Sequence, residues 1–385
     1  MAIEKPDYIP RAVDLAGLLQ KKSCFLFGPR QTGKSSLIRH TLAPQRTYNL
    51  LDSETYLKLS RSPRRLREEC TDRDRVVVID EVQKLPLLLD EVHLLIEERR
   101  LRFLLTGSSA RKLRRGGVNL LGGRARIMRL HPFTFPELKD RFDLSRAVNH
   151  GLLPSIYLSD EPETDLKSYV GTYLQEEVAA EGLTRNIPAF SRFLEVAALC
   201  NGQKINYTNI SNDAQVARST VQEYFQILKD TLIAQEVLPW RAPKKRKPVS
   251  TSKFYFFDGG VARFLQNRSE VRLGSPEFGS CFEAYLFHEL QSFCDYRGMR
   301  EVGYWGSKSG FEVDFILADT TAVEVKASRT VGPQDLKSLR ALQEEKKLKN
   351  YVVACLEETP RTVGGIQILP WREFLEYLWG GAFTR

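Results

Sequence analysis

The sequence contains no apolar run long enough to cross a membrane as a helix, and Met1-Ala-Ile-Glu-Lys-Pro6 lacks the apolar core of a signal peptide. Its six cysteines lie far apart, and no two have the Cys-x-x-Cys spacing of zinc or redox sites. Only five histidines are present. These absences argue against a membrane protein, a disulfide-framed protein and a structural zinc protein. We therefore expect a protein of the reducing cytoplasm, with no membrane partner.

The composition is that of an ordinary globular chain. At 385 residues the sequence has room for two or three domains, and its content of 42% hydrophobic and 27% charged residues is typical of globular proteins. Lys and Arg number 57 against 48 Asp and Glu, a net charge of +9. This excess suits an anionic partner such as nucleic acid, although the charges are mixed and form no basic tail.

Residues 28 to 35 read Gly-Pro-Arg-Gln-Thr-Gly-Lys-Ser, a complete Gly-x-x-x-x-Gly-Lys-Ser loop. The apolar run Ser23–Phe27 before it predicts a buried strand, and the residues after it predict a helix. In this context the backbone N–H groups of the loop and of the helix start point at a phosphate chain. We expect Lys34 to bind the β- and γ-phosphates of ATP and Ser35 to ligate Mg²⁺. The predicted nucleotide-binding residues are Gly28, Pro29, Arg30, Gln31, Thr32, Gly33, Lys34, Ser35, Ser36 and Asp80.

Val76-Val-Val-Ile-Asp-Glu81 is a continuous β-branched run that ends in two carboxylates. Such runs are typical of central parallel strands, and ligands bind at the carboxyl ends of these strands. We expect Asp80 to hold Mg²⁺ and Glu81 to polarise the attacking water. The next predicted strand ends near Thr106 and Ser108, of which either can hydrogen-bond the γ-phosphate or that water. Solvated acids and a hydroxyl-rich turn are the alternatives.

Five strand-like runs alternate with helical stretches over the first 130 residues, which favours a doubly wound parallel α/β sheet. The predicted strands are Ser23–Phe27, Arg46–Leu51, Val76–Asp80, Arg102–Thr106 and Ala125–Leu130.

Two further segments, Gly122-Gly-Arg124 and Leu130-His-Pro-Phe-Thr-Phe-Pro-Glu-Leu138, complete a resemblance to AAA+ ATPases. The chain resembles most the prokaryotic family that joins an AAA-type ATPase domain to a C-terminal domain of unknown function. The resemblance implies a homo-oligomeric ring, such as a hexamer, in which Arg124 projects into a neighbour's ATP site. An arginine finger of this kind stabilises charge on the transferred phosphoryl group. An Arg124 that pairs with a local acid or sits exposed is the alternative, and Arg114, Arg115 and Arg126 are rival fingers.

Residues 151–250 are predicted to form a helical domain with winged-helix character. Its helix–turn–helix would bury Val221, Tyr224, Phe225 and Leu228 in the second helix. Arg218, Gln222 and Gln226 could then face a DNA major groove. A packing or spacer module is the alternative. Arg241-Ala-Pro-Lys-Lys-Arg-Lys-Pro248 predicts an exposed basic loop that contacts phosphates or is simply solvated. The predicted helices are Asp165–Leu183, Phe190–Cys200, Thr208–Gln215 and Thr220–Lys229.

The residues from 251 to 385 predict an aromatic strand and then a helix, three strands, a helix and a strand, an order that resembles restriction-endonuclease-like folds. The predicted elements are Phe254–Asp258, Gly279–Tyr296, Val302–Gly306, Phe311–Leu317, Ala322–Ala327, Pro333–Leu348 and Tyr351–Leu356.

Asp314 is followed after nine residues by Glu324-Val-Lys326, which resembles the PD-(D/E)xK nuclease signature with Val313 in place of the usual proline. Period two places Glu324 and Lys326 on one face of their strand. Asp314 and Glu324 would hold Mg²⁺ against a scissile phosphate, Lys326 would orient the water, and Glu283 matches an additional helical acid. The spacing alone arises by chance in about one such chain in ten. An inactive binding module and a solvated strand face are the alternatives.

The sequence thus predicts an α/β protein: a P-loop AAA+ doubly wound parallel sheet at 1–150, a helical and winged-helix-like domain at 151–250, and a nuclease-like α/β domain at 251–385. The expected function is ATP binding and hydrolysis coupled to an action on DNA, with a metal-dependent nuclease-like domain. The alternative is an ATP-gated switch or scaffold that binds protein or nucleic acid without cleavage.

Overall fold

The structure is a computed structural model that describes residues 8–44, 46–108, 113, 121–174, 186–241, 246–268 and 270–383. The chain divides into two compact units. The first comprises Met1–Pro132 with Asp230–Ile233, and the second comprises Phe133–Lys229 with Ala234–Arg385. Within the described ranges, no helix has both the length and the apolar character needed to cross a bilayer. The division into three domains at 150 and 250 stays a prediction.

The first unit is built on a five-stranded parallel sheet, as the sequence predicts. Its central strands are buried along their length because continuous apolar runs such as Ser23–Phe27 pack against both faces of the sheet. The strand order is β2-β3-β4-β1-β5. The strands are β1 (Ser23–Phe27), β2 (Arg46–Asn49), β3 (Val76–Asp80), β4 (Arg102–Gly107) and β5 (Ala125–Arg129).

Helices cover this sheet and supply its core. The described helices of this unit are α1 (Leu15–Lys21), α2 (Lys34–Thr41), α3 (Ser53–Arg61), α4 (Arg65–Glu69) and α5 (Leu88–Arg99), with 3₁₀ turns at Val82–Lys84 and Leu121–Gly123. Side chains of α5 such as Leu88, Val92 and Leu95 are fully buried against Phe103 of β4 and its neighbours. The spacing of these leucines and valines is that of one helical face.

The second unit begins with helices of four to thirteen residues. They are α6 (Phe135–Leu138), α7 (Leu144–His150), α8 (Pro154–Tyr157), α9 (Pro162–Ser168), α10 (Ile187–Leu199), α11 (Tyr207–Ala214) and α12 (Arg218–Asp230), with a 3₁₀ turn at Lys139–Arg141 and a π-helical turn at Tyr169–Leu174. The helix predicted at Asp165–Leu183 therefore begins earlier and changes its winding at Tyr169, and residues 175–185 lie outside the described part.

The two helices α11 and α12 lie close to where the sequence predicts them. Asn206 begins α11, since its side-chain oxygen accepts the N–H groups of Thr208 and Asn209 at 3.1 and 3.2 Å. In α12 the predicted buried side chains, with Ile227 in addition, face the interior. A two-stranded antiparallel ribbon follows, formed by β6 (Ala234–Val237) and β7 (Lys253–Phe256).

A six-stranded mixed sheet forms the rest of this unit, in the order β12-β13-β11-β10-β9-β8. Its strands are β8 (Gly303–Gly306), β9 (Glu312–Leu317), β10 (Thr321–Lys326), β11 (Asn350–Cys355), β12 (Arg361–Val363) and β13 (Ile366–Pro370). The helices of this part are α13 (Gly259–Leu265), α14 (Phe278–Arg297), α15 (Lys337–Gln343) and α16 (Trp371–Trp379). The predicted helix Pro333–Leu348 is thus only half as long as expected. The last two strands and α16 lie beyond the predicted elements.

Candidate functional site

The phosphate-binding loop Gly28–Gly33 connects the end of β1 to the start of α2. Gln31 and Gly33 both have left-handed backbone conformations, with φ of 64° and 92°, so the chain wraps tightly before the helix. A Cβ atom on Gly28 would lie 2.5 Å from the carbonyl oxygen of Leu130. Only glycine therefore fits at position 28, and the loop is seated directly on the segment that follows β5.

Lys34 is the first residue of α2, and its side chain is almost fully buried against this loop. Its ammonium group donates to the carbonyl oxygens of Gly28 at 2.7 Å and Pro29 at 3.1 Å. The Thr32 hydroxyl donates to the same Pro29 oxygen at 2.9 Å. The loop is thus closed around the lysine, and Gly33 starts α2 without a side chain that could cap its first N–H groups. A phosphate chain would find one ammonium and a row of N–H donors here.

Asp80 ends β3 beside this loop. Its Oδ2 lies 3.5 Å from the Ser35 hydroxyl, and its Oδ1 accepts a hydrogen bond from the Thr106 hydroxyl of β4. Strands β3 and β4 are parallel neighbours, with Ile79 opposite Leu105, which brings their carboxyl ends together. A hydroxyl and a carboxylate are oxygen ligands that suit Mg²⁺. The structure thus brings together Ser35, Asp80 and Thr106, three of the predicted site residues.

Glu81 follows in a left-handed conformation, with φ of 60°, which turns its side chain away from the course of the strand. Its N–H donates to the Thr106 hydroxyl at 3.3 Å. Its carboxylate accepts from the side-chain amide of Gln83 at 2.5 Å, and the same amide donates to the Ser108 hydroxyl at 3.3 Å. Gln83 and Ser108 therefore position Glu81. Sequence reasoning missed Gln83 because its partner lies only two residues away across a 3₁₀ turn.

Gly107 explains how Gln83 can lie there. A Cβ atom at position 107 would come within 2.3 Å of the Gln83 Oε1. The glycine that ends β4 thus leaves the space that the Gln83 side chain occupies.

Arg124 lies at the start of β5 and pairs with Glu97 of α5. Both side chains are substantially exposed, at 37% and 52%. Among its rivals, Arg126 is exposed on β5, and Arg114 and Arg115 lie outside the described residues. The pair with Glu97 and the partial exposure are what the alternative for Arg124 describes. Its role as an arginine finger stays a prediction.

Arg11 is a further residue of this site that sequence reasoning missed. Its guanidinium donates to the Thr32 carbonyl at 2.7 Å, the His131 carbonyl at 2.6 Å and the Pro132 carbonyl at 3.2 Å. It ties the loop to the segment after β5. No local pattern indicates this role, since the partners are separated by up to 121 residues.

The second candidate site lies on β9, β10 and α14. It comprises Asp314, Glu324, Lys326 and Glu283, and we name it the C-terminal acidic site. In the antiparallel pairing of β9 with β10, Leu317 lies opposite Thr321 and Phe315 opposite Val323. One further step of this register places Asp314 across from Glu324, with both side chains on one face.

Contacts at these acids support a shared site. Asp314 Oδ2 accepts the Val325 N–H at 2.8 Å, which holds it against the strand that carries Glu324. The Lys326 ammonium lies 2.8 Å from Glu324 Oε1. Glu324 is only 5% exposed, and its Oε2 has no hydrogen-bond partner among the described residues. An unpartnered buried carboxylate oxygen fits a site for a cation.

The electrostatics agree with a strained pair of acids. Burial, reinforced by the charges of Glu324 and Glu283, holds the pKa of Asp314 well above its ordinary value. Burial also raises the pKa of Glu324, against the opposing effect of Lys326. Within the described ranges, no group of three or more Asp, Glu, His or Cys side chains is arranged to hold a metal ion. The predicted metal ligands that the structure brings together here are the pair Asp314 and Glu324.

Glu283 is engaged elsewhere. It accepts the hydroxyl of Tyr255 at 2.5 Å, and the ammonium of buried Lys253 lies 3.6 Å from the same oxygen. Lys253 also lies 2.7 Å from Glu312 Oε1. No pattern in the sequence indicates a role for Lys253 or Tyr255 at this site, since both belong to a separate strand.

The predicted DNA-facing residues of α12, Arg218, Gln222 and Gln226, are exposed. The basic loop is different. The Arg246 guanidinium donates to Glu344 and to the Ala341 carbonyl, each at 2.7 Å. These hydrogen bonds hold Arg246 against the helix α15 and its C-terminal end. Residues 242–245 of this loop lie outside the described part.

Three family models match successive parts of the chain. Residues 20–139 match the AAA domain, residues 141–272 match a domain of unknown function (DUF8612), and residues 278–374 match a second domain of unknown function (DUF4143). The first match supports an AAA-type ATPase domain around the phosphate-binding loop, in agreement with the sequence. The last match confirms that a domain of unknown function lies at the C-terminal end.

The curated relatives are uncharacterized proteins. Those of Mycobacterium tuberculosis and Mycobacterium bovis are each 23% identical over 325 residues, which cover 82% of this chain and 72% of theirs. One from Methanocaldococcus jannaschii is 23% identical and covers 60% of this chain and 49% of its own length. Among solved structures, Can2 from Sulfobacillus thermosulfidooxidans in complex with cyclic tetra-adenylate is 10% identical and covers 94% of this chain and all of that one. Its TM-score of 0.23 is too low to indicate a common fold.

Proposed function

We propose that this protein is an AAA+ ATPase that couples ATP binding and hydrolysis to an action on DNA and carries a metal-dependent nuclease-like C-terminal domain. The observation that carries the ATPase part is the convergence of Lys34, the Ser35–Asp80 pair and Glu81 at the carboxyl edge of one parallel sheet. We place it in the reducing cytoplasm, because all six cysteines lie in the described part and are free thiols.

In the ATP site the side chains have separate roles. Lys34 would leave the carbonyls of Gly28 and Pro29 for the β- and γ-phosphates, and the N–H groups of residues 30–36 would surround the phosphate chain. Ser35 and Asp80 would hold Mg²⁺, which when bound neutralises charge on the phosphates. Glu81 would orient and polarise the attacking water, with Gln83 holding its carboxylate and Thr106 holding its backbone.

Arg124 would act in trans on the ATP site of a neighbouring subunit in a homo-oligomeric ring, such as a hexamer. Its pairing with Glu97 is at the surface and worth little energy, so a phosphate could displace the acid. This role requires an oligomer for full ATPase activity.

In the C-terminal acidic site, Asp314 and Glu324 would be the ligands of a divalent cation that polarises a scissile phosphate when bound. The support is the cross-strand register and the unpartnered Oε2 of Glu324. Lys326, 2.8 Å from Glu324, would orient the attacking water. Glu283 would support the site from α14.

DNA would be recognised by residues 151–250, in which α11 and α12 would act as the helix–turn–helix of a winged-helix-like domain. Arg218, Gln222 and Gln226 are exposed on α12 and can reach phosphates or base edges. The chain would then comprise an ATPase domain at 1–150, this domain, and the nuclease-like domain at 251–385.

A second candidate is an ATP-gated switch or scaffold whose C-terminal domain binds protein or nucleic acid without cleavage. Two ion pairs favour this second candidate, because Lys326 and Lys253 neutralise Glu324 and Glu283 without a metal ion. A site that is balanced in this way can be stable and inactive.

One set of assays separates the two candidates. Purified protein is incubated with plasmid and linear DNA, with and without ATP and with Mg²⁺ or Mn²⁺. We expect metal-dependent cleavage that Glu324→Ala abolishes while ATP hydrolysis continues, and that Lys326→Ala reduces more than it reduces metal binding. If wild-type protein cuts neither DNA nor RNA under any of these conditions, the scaffold candidate is favoured. Cleavage that persists unchanged in Glu324→Ala resides elsewhere.

The ATPase is tested separately. Lys34→Ala should abolish or strongly weaken nucleotide binding. Glu81→Gln should bind ATP normally, but its rate of ATP hydrolysis should fall by about 10² to 10⁴-fold, because only water activation is removed. Near-normal turnover of Glu81→Gln would remove Glu81 from this role.

A further inference from the structure

Lys253 is a buried lysine at the start of β7, only 4% exposed. Its ammonium lies 2.7 Å from Glu312 Oε1 of β9 and 3.6 Å from Glu283 Oε1 of α14. The ring of Tyr304 lies beneath it, with its centre 5.3 Å away. A buried ammonium is costly unless acids surround it, and here two different elements supply them.

The influence of Lys253 extends to Asp314. Glu312 and Asp314 are two residues apart on β9 and so face the same side. Burial lowers the pKa of Lys253, but the carboxylates of Glu283, Asp314 and Glu312 outweigh this effect and raise it. The ammonium therefore remains charged beside the C-terminal acidic site.

Lys253 and Tyr255 together hold Glu283. The Tyr255 hydroxyl donates at 2.5 Å to the oxygen that also faces Lys253. The helical acid that could join Asp314 and Glu324 around a metal ion is thus occupied by two residues of β7. This leaves Asp314 and Glu324, without Glu283, as the acids that could bind a metal ion.

The balance of charges around the C-terminal acidic site also favours a single metal ion. Four carboxylates and three ammonium groups take part in the contacts of the C-terminal acidic site and of Lys253, and they leave one negative charge when all are ionised. The groups are Glu283, Glu312, Asp314, Glu324, Lys204, Lys253 and Lys326. Each lysine of this set is paired with Glu283, Glu312 or Glu324, so the unbalanced charge lies on the Asp314–Glu324 pair, beside the unpartnered Oε2 of Glu324. One divalent cation suits it, whereas a second would meet the Lys253 ammonium at short range in a poorly solvated site.

We propose that Lys253 takes the place of a second divalent cation, so that the C-terminal acidic site binds one metal ion between Asp314 and Glu324 and uses Glu283 to anchor Lys253. The inference rests on the proposed function where it takes Asp314 and Glu324 as metal ligands. It makes Lys253 the residue that sets metal stoichiometry.

The test counts Mn²⁺ bound per chain in the full-length protein without nucleotide, by equilibrium dialysis and electron paramagnetic resonance. Lys253→Gln removes the charge and should bind one Mn²⁺ more than wild type. The double variant Lys253→Gln, Glu283→Gln should lose this additional ion. Lys253→Arg keeps the charge and is the matched control, with the wild-type count. The melting temperature of Lys253→Gln should rise on addition of Mn²⁺ more than that of wild type.

A folded Lys253→Gln variant with the wild-type Mn²⁺ count would overturn the proposal. A second measurement, the Mn²⁺ count of Glu283→Gln, does not depend on the folding of Lys253→Gln. Glu283→Gln in the presence of Lys253 should keep the wild-type Mn²⁺ count, and loss of an ion would show that Glu283 is a metal ligand after all. These outcomes differ from failure of the proposed function, which is absence of cleavage by wild type whatever the ion count.

Discussion

The side-chain amide of Gln83 lies 2.5 Å from a carboxylate oxygen of Glu81. The same amide reaches the Ser108 hydroxyl, and Gly107 leaves the space in which it lies. The orientation of the proposed base thus depends on a neutral neighbour that is itself held in place.

Gln83→Ala should therefore lower kcat for ATP hydrolysis by about 10²-fold, because a base displaced by about 1 Å loses that much. ATP affinity should be unchanged, since Gln83 contacts no residue of the phosphate-binding loop in the described contacts. Steady-state kinetics and binding of a fluorescent nucleotide measure the two effects. Gln83→Glu should be at least as damaging, because it places two carboxylates together. An unchanged kcat in Gln83→Ala would mean that Glu81 needs no such support.

Arg124→Ala should lower kcat by about 10³-fold or more if Arg124 is the finger, with a much smaller effect on nucleotide affinity. Glu97→Ala is the matched control, since it breaks the same surface pair but leaves the arginine. Mixing Arg124→Ala with Lys34→Ala protein should partly restore activity, because mixed interfaces combine an intact loop with an intact finger. A strictly monomeric and fully active enzyme would rule out the role in trans.

Metal binding at the C-terminal acidic site should depend on pH. The pKa values of Asp314 and Glu324 are raised. Protons therefore compete with the metal ion at pH values above those at which carboxyl groups ordinarily titrate. Mn²⁺ affinity should therefore rise between pH 6 and pH 8, and binding at pH 6 should release protons. Calorimetry in buffers of different ionisation enthalpy measures both quantities. Equal affinity at the two pH values, without proton release, would contradict the assignment of these acids.

Glu289 of α14 should make the second unit less stable at alkaline pH. It is fully buried and accepts from the Phe135 N–H at 2.8 Å and the Trp379 indole at 2.9 Å. Burial raises its pKa from 4.5 to about 8, so the folded unit binds this proton more tightly than the unfolded chain. Between these two pKa values the free energy of unfolding falls as pH rises, by up to about 1.4 kcal/mol per pH unit. The contribution of Glu289 is fully lost above about pH 8.

Urea unfolding from pH 5 to pH 9, followed by tryptophan fluorescence, measures this slope. Glu289→Gln should flatten it, whatever its effect on absolute stability, and Glu376→Gln, an exposed acid on α16, should leave it unchanged. The same slope in Glu289→Gln and wild type would assign the pH dependence to other groups.

The sequence predicted what depends on local pattern. The residues from Ser23 to Thr41 form the strand, loop and helix that the glycine spacing indicates, and Val76–Asp80 is the buried strand that its β-branched run predicts. The helices α11 and α12 lie within two residues of the predicted bounds because their apolar spacing is that of helices packed on one side.

What remained unpredicted depends on contacts between distant residues. Arg11 meets His131 and Lys253 meets Glu312 only after folding, and no spacing rule connects them. The strand β12 has only three residues, too few for a periodic pattern. The helix α16 is different, since Phe374, Leu375 and Leu378 are buried at helical spacing and could have been recognised.

The pairing of β9 with β10 also bears on how related chains should be recognised. Asp314 and Glu324 are brought together by the register of two strands, whereas the number of residues between them includes the turn at Ala318–Thr320. Both Ala318 and Asp319 have positive φ, at 52° and 57°, which is a property of this particular short turn. A longer turn could join the same strands in the same register. A sequence search with the fixed nine-residue spacing would then miss homologues with longer turns. A search for the alternation of apolar and polar residues around each acid would still find them.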